Sequence, residues 1–173
     1  WIGTFHATGA RLLRRDGAAI GVASDFTIYD TDDSLRAVKR ALERCRFDVQ
    51  TLQPSVARAL ISRWKNEGIA PAEAARRAAD VRERRAAEVF AAYEEELRRG
   101  NALDFDDLIL RAVQLLAPGT AAQQKYARRF RHVLVDEFQD TNMAQYTLLR
   151  HLAGFHHNIF VVGDEDQSIY RWR

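Results

Sequence analysis

Two short apolar runs constrain the fold of this chain most. His132-Val133-Leu134-Val135 and Asn158-Ile159-Phe160-Val161-Val162 are rich in β-branched residues, and each ends at acids. Continuous apolar runs predict strands buried on both faces, as in a parallel sheet. Between them, Gln145 to Leu152 has the pattern of a crossover helix. The prediction is a β-α-β unit with carboxylates at the carboxyl ends of both strands. Open α/β sheets bind ligands at that edge.

The rest of the chain divides around this unit. The first part, residues 1–33, opens with Thr4-Phe5-His6 and a short helical pattern through Leu12 and Leu13, stopped at Asp16-Gly17. Phe26-Thr27-Ile28-Tyr29 then reads as a short β segment. The second part, residues 34–100, is helical. Leu35, Val38 and Leu42 form one stripe. Pro54 opens a helix whose face is Val56, Leu60 and Trp64, and Gly68 stops it. Pro71 starts a third, long helix with the stripe Ala79, Ala86, Phe90, Tyr93 and Leu97, ended by Gly100. The third part, residues 101–173, starts with a helix over Asp104–Leu116 and holds the β-α-β unit. The fold class expected is α/β, with an all-α segment inserted between α/β ends.

Composition excludes several classes. Apolar residues make up 47% and charged residues 29% of 173 positions, as in a globular protein and unlike a disordered tail. No run reaches the roughly 18–20 apolar residues of a membrane helix, so no membrane partner is expected. A single cysteine, Cys45, excludes a disulfide framework and a cysteine zinc site. It fits a reducing setting, and the expected location is cytoplasmic. The formal net charge of +2 does not by itself call for nucleic acid. Two basic clusters stand out: Arg36, Lys39, Arg40, Arg44 and Arg46, and Lys125, Arg128, Arg129 and Arg131. Each suits a solvated helix face or phosphate contact.

Three constellations carry chemistry. Val133-Leu134-Val135-Asp136-Glu137 has the form of a Walker B element. One carboxylate there can hold Mg²⁺, usually through water, and a second can deprotonate an attacking water. The same residues also fit a strand ending in a polar turn. Gly163-Asp164-Glu165-Asp166-Gln167-Ser168 sets three acids and a glutamine at the second strand end, equally a surface turn. Ile169-Tyr170-Arg171-Trp172-Arg173 alternates aromatics with arginines, which suits stacking on single-stranded nucleic acid or an amphipathic strand.

Taken together and in order, these segments are specific. Asp136-Glu137-Phe138-Gln139-Asp140-Thr141-Asn142 followed by Gly163–Arg173 closely resembles motifs II and III of superfamily 1 helicases of the UvrD/Rep type. Thr4-Phe5-His6-Ala7, with Arg11-Leu12-Leu13-Arg14 behind it, is similar to that family's DNA-contact motif. Ala102-Leu103-Asp104-Phe105-Asp106-Asp107-Leu108 is similar to its Asp-Phe-Asp-Asp-Leu segment. The resemblance spans essentially the whole chain. It implies that residues 1–33 and 101–173 are parts of the first RecA-like motor domain, 1A, and that residues 34–100 are the helical subdomain 1B.

The resemblance also implies roles. Asp136 coordinates Mg²⁺ and Glu137 is the catalytic base. Gln167 senses the γ-phosphate of ATP, and Arg173 reaches back toward the nucleotide. Tyr170 and Trp172 stack on bases of single-stranded DNA, and Thr4 and His6 contact the DNA backbone. Gln139 and Asp140 are expected to tie motif II to motif III. The acids Asp104–Asp107 are expected to be structural or DNA-positioning. The implied activity is ATP-dependent 3′–5′ DNA translocation and unwinding, acting on single strands and single-strand/duplex junctions in repair or recombination.

The sequence has no Gly-x-x-x-x-Gly-Lys-Thr/Ser loop to cradle phosphates. The chain is therefore read as part of a longer helicase, and alone it is expected neither to hydrolyse ATP nor to unwind DNA. The motor sheet is expected to be frayed, exposed or completed by a partner chain. Other readings remain open: a non-catalytic DNA-binding module, the helicase part of a helicase-nuclease, or a carboxylate metal site built from Asp136, Glu137, Asp164 and Asp166.

Overall fold

The computed structural model describes residues 1–48, 50–164 and 166. Gln167, Tyr170, Trp172 and Arg173 lie outside the described residues. The chain forms two compact units, one of residues 25–108 and one of residues 1–24 with 109–173.

The unit of residues 25–108 begins with β1 (Thr27–Tyr29), continues through α2 (Thr31–Arg44), α3 (Pro54–Asn66), α4 (Pro71–Arg77) and α5 (Val81–Arg99), and returns as β2 (Ala102–Asp104). β1 and β2 pair in parallel, with Thr27 opposite Ala102 and Tyr29 opposite Asp104. Helix starts follow local chemistry. The Asp30 side chain accepts from the Asp33 amide at 2.8 Å and so caps α2. Pro54 and Pro71 take first-turn positions, where no N–H partner is needed. Gly68 ends the turn after α3 at φ +73°, a conformation that glycine adopts without a Cβ clash.

The apolar stripes of α2, α3 and α5 meet in one core. Val38, Leu42, Ile61, Trp64, Phe90, Tyr93 and Leu97 are all buried there. Trp64 and Phe90 stack with ring centroids 6.0 Å apart and planes 18° apart. The buried face of α3 is Ala57, Ile61 and Trp64, with Val56 and Leu60 only partly buried against it. The expected stripe thus holds at Trp64, while its two earlier positions lie one residue before the buried ones.

One expectation for this region is corrected. The long helix from Pro71 is two helices, broken at Ala78–Asp80. Asp80 caps the second, accepting from the Glu83 amide at 2.7 Å, while Glu83 accepts from the Ala79 amide at 3.0 Å. These local bonds satisfy helix-start donors that a continuous helix would have paired internally. Ala79 thereby leaves the stripe and is exposed. Between residues 34 and 100 the described elements are all helices, while the compact unit of residues 25–108 is wider and also takes in the β1–β2 pair.

The other unit contains α1 (Phe5–Asp16), the later part of α6 (Phe105–Leu115), α7 (Ala121–Arg129), β3 (Val133–Val135), α8 (Met143–Ala153) and β4 (Ile159–Val161). Leu12, Leu13, Leu115, Leu116, Tyr126, Leu148 and Leu152 are buried in it. Asp16, at the end of α1, accepts from Lys125 at 2.8 Å and from the Tyr126 hydroxyl at 2.6 Å, fastening α1 to α7. α8 starts with a capping box: Asn142 accepts from the Gln145 amide and Gln145 accepts from the Asn142 amide.

β3 and β4 pair in parallel as expected, with Leu134 opposite Phe160 and Val135 opposite Val161. Their burial falls short of the two-sided burial that the apolar runs predict. Val135 is buried, whereas Leu134 is 76% and Phe160 64% exposed. α8 packs against β3, but register places Leu134 and Phe160 on the same face of the pair, and that face stays open.

Candidate functional site

The candidate site lies at the carboxyl edge of the β3–β4 pair. Parallel pairing brings both strand ends to the same edge. The chain leaves β3 through Asp136 and Glu137 and leaves β4 through Val162, Gly163 and Asp164. The two exits are stitched together. The Val162 amide donates to the Val135 carbonyl at 2.8 Å, and the Phe138 amide donates to the Val162 carbonyl at 2.9 Å.

Glu137 has a left-handed backbone, with φ 52° and ψ 41°. A non-glycine residue there is uncommon and is held by its surroundings. One such contact is local: Asp136 Oδ1 accepts from the Glu137 amide at 3.0 Å. The chain then makes a single 3₁₀ turn over Phe138–Asp140. This reverses direction so abruptly that the two consecutive acids escape the alternation of an extended strand. Both are exposed.

Gln139 spans the two exits. Its Nε2 donates to Glu137 Oε2 at 2.5 Å, and its Oε1 accepts from the Asp164 amide at 3.1 Å. Asp164 in turn accepts from the Asp166 amide at 2.9 Å. Asp136, Glu137, Gln139 and Asp164 are thus brought together. Among the described residues, Asp136, Glu137, Asp164 and Asp166 do not form a metal-holding group of three or more ligands. Asp136 uses Oδ1 on the Glu137 peptide, and an exposed carboxylate at a strand end is a donor that fits a water-mediated divalent cation.

Thr4 sits at the N-cap of α1. Its Oγ1 accepts from the Ala7 amide at 3.2 Å, and the hydroxyl proton remains available to an acceptor. His6 is in the first turn of the same helix and is half-buried. The N-cap role of Thr4 was not read from the sequence, although a threonine ahead of a helical pattern is the usual signal for one.

Sequence reasoning missed one constellation altogether. Lys65 is fully buried in the 25–108 unit, with its Nζ 2.7 Å from Glu94, 2.9 Å from Asp104 and 2.9 Å from Asp107. The Tyr93 hydroxyl also donates to Asp104 at 2.8 Å. Burial opposes the charged lysine, but Asp107, Asp104 and Glu94 outweigh it and hold Lys65 well above its ordinary pKa. Burial also acts on Asp104, yet Lys65 beside it brings that carboxyl below the usual range. Asp107 goes the other way: burial pushes it up to about 7, against the pull of Lys65. The signal was present in the sequence. Lysines occur only at 39, 65 and 125, and Lys65 falls four residues after Ile61, on the apolar face of α3.

The basic clusters are partly neutralised. Arg40 and Arg44 both bind Glu96, Arg36 pairs with Asp33, and Lys125 pairs with Asp16. No described helix is long and apolar enough to cross a membrane.

Comparison with known proteins points one way. A family model described as the UvrD/REP helicase N-terminal domain matches residues 1–173. The ATP-dependent DNA helicase PcrA of Leuconostoc citreum is 42% identical over 173 residues, which is 100% of this chain and 23% of that protein. The ATP-dependent DNA helicases PcrA of Staphylococcus aureus and Staphylococcus epidermidis are 42% and 41% identical, again over all of this chain and 24% of theirs. The chain spans about a quarter of the length of the curated relatives it matches.

Proposed function

Because the chain belongs to the UvrD/REP helicase N-terminal domain family, we propose that it forms part of the first motor domain of an ATP-dependent DNA helicase moving 3′–5′ on single-stranded DNA. The observation that carries this reading is the parallel pairing of β3 with β4. It sets Asp136 and Glu137 beside the Gly163–Asp164 turn, at the edge where α/β sheets take ligands.

The residues divide the work by chemistry. Asp136 holds Mg²⁺ through water, and that ion would neutralise developing charge on the phosphates. Glu137 takes a proton from the attacking water. Gln167 reports the γ-phosphate and Arg173 supports the nucleotide side, while Tyr170 and Trp172 stack on bases of single-stranded DNA without sequence preference. Thr4 and His6 meet the DNA backbone at the start of α1. The exposed amides and the N-terminal end of the helix dipole favour a phosphate there, and the Thr4 hydroxyl can donate to one.

Residues 1–33 and 101–173 are assigned to domain 1A, and residues 34–100 to subdomain 1B, working on strand/duplex junctions in a bacterial cytoplasm during repair or recombination. The chain contains no phosphate-cradling Gly-Lys loop, so it supplies only the carboxylate side of a nucleotide site, and alone it is inactive. The test is unwinding of a duplex with a 3′ single-stranded tail by the full-length protein. Wild-type protein unwinds it and hydrolyses ATP in response to DNA, and Glu137→Gln lowers hydrolysis about 10²–10⁴-fold. Hydrolysis unchanged by Glu137→Gln would overturn the assignment of the base.

A further inference from the structure

We propose that Gln139 is a positioning residue, a two-ended latch that orients the Glu137 carboxylate and ties its orientation to the Gly163–Asp164 turn. The inference rests on the reading of Glu137 as the base.

The argument starts from the amide group. A glutamine side chain has one donating end and one accepting end. Gln139 uses both on different strand exits: Nε2 to Glu137 Oε2, Oε1 from the Asp164 amide. Only one orientation of the amide makes both bonds. The flipped amide would set a carbonyl against a carboxylate and an NH₂ against a peptide N–H. The position of Asp164 therefore dictates which end faces Glu137.

Gly163 completes the latch. A Cβ there would lie 2.7 Å from Gln139 Oε1 and 3.3 Å from the Gln139 amide nitrogen. The glycine is needed for close approach to the amide, not for an unusual backbone angle. The dependence thus runs from Gly163 through Gln139 to Glu137.

The stability value of this arrangement is low, because Glu137 is exposed and water could serve its carboxylate equally well. The arrangement does matter for direction. Among the described residues one carboxylate oxygen is engaged by Gln139, so the other is the one presented to a water. The backbone of Glu137 is held in a left-handed conformation by Asp136 from the other side. A displacement of the Gly163–Asp164 turn would draw Gln139 Oε1 with it and turn the Glu137 carboxylate. The second strand exit can thereby switch the base without touching it.

The experiment has two arms. In this chain, the side-chain NH₂ resonances of Gln139 are followed by ¹⁵N NMR. Both Glu137→Ala and Gly163→Ala should shift them, while Asp140→Ala should not. No shift in either variant would show that the latch does not exist in solution. In the full-length protein, Gln139→Ala and Gly163→Ala should each lower kcat for ATP about 10–100-fold, the scale of a misplaced catalytic group, with KM changed less than about threefold. Gln139→Glu, which faces Glu137 with a like charge, should fall at least as far. A KM increase at constant kcat would overturn the positioning role and mark Gln139 as a binding residue. Glu137→Gln separates the two ideas. If it leaves hydrolysis intact, the base assignment fails. If it abolishes hydrolysis while Gln139→Ala does not lower kcat, only the latch fails.

Discussion

The two compact units treat charge in opposite ways. Residues 25–108 bury an ammonium among Glu94, Asp104 and Asp107 and seal it beneath Tyr93. Residues 1–24 with 109–173 set Asp136, Glu137 and Asp164 at an exposed sheet edge, where side chains and peptide groups orient them but do not cover them. Buried charge needs its partners, since each loss leaves an uncompensated group. Exposed charge contributes little to folding and is free to meet a ligand. The contrast teaches where this chain gains rigidity and where it keeps reactivity.

The contrast can be broken most directly at Lys65. Lys65→Ala leaves three carboxylates without a cation and should destabilise the 25–108 unit by about 3–5 kcal/mol. Urea unfolding measures this, and a loss below about 1 kcal/mol would show that the cluster is hydrated and not sealed.

The pH response sharpens the same point. Asp107 has its folded pKa raised from 3.8 to about 7. A raised pKa means that the folded state binds the proton more tightly. That contribution is full below pH 3.8, declines as pH rises, and is gone above about 7. Asp104 is shifted the other way, so its contribution is lost only as pH falls through the acidic carboxylate range. Stability of the unit should therefore decrease between about pH 4 and 7, and Asp107→Asn should flatten that slope. Thermal unfolding at a series of pH values reads both.

Smaller effects belong to the other unit. Thr4→Ala removes the α1 cap and should cost about 0.5–2 kcal/mol, seen as loss of helical circular dichroism at lower urea; Thr4→Ser should restore it. Glu137→Gln should move stability by no more than about 0.5 kcal/mol, measured by the same unfolding curve. A large loss there would mean that the exposed edge is structural after all.

Much of this was legible in the sequence because the signals are local. Val133–Val135 and Ile159–Val161 announced parallel strands by composition, and Pro54, Gly68 and Pro71 marked helix ends. The acids followed directly, since a strand end is where the next polar residues must lie. The break at Ala78–Asp80 was also written locally, in the Asp80-x-x-Glu83 spacing, but the alanine-rich sequence around it favours a continuous helix. Burial was the less legible property. Whether Leu134 is covered or Lys65 is sealed depends on what packs there, and periodicity does not report that. Gln139 was expected to bridge the strand ends; that a glycine 24 positions later makes room for its amide required coordinates.

The open face of the β3–β4 pair has a colloidal consequence. Leu134 and Phe160 lie side by side and wet on a two-stranded ribbon, and strand edges lend themselves to pairing with another chain. Such a surface is adhesive toward its own kind. Excluded salts such as sulfate strengthen apolar association, and the exposed arginine ion pairs on the helices are screened by the same ionic strength. Ammonium sulfate should thus salt this chain out early, with the sheet rather than the helices as the point of first contact.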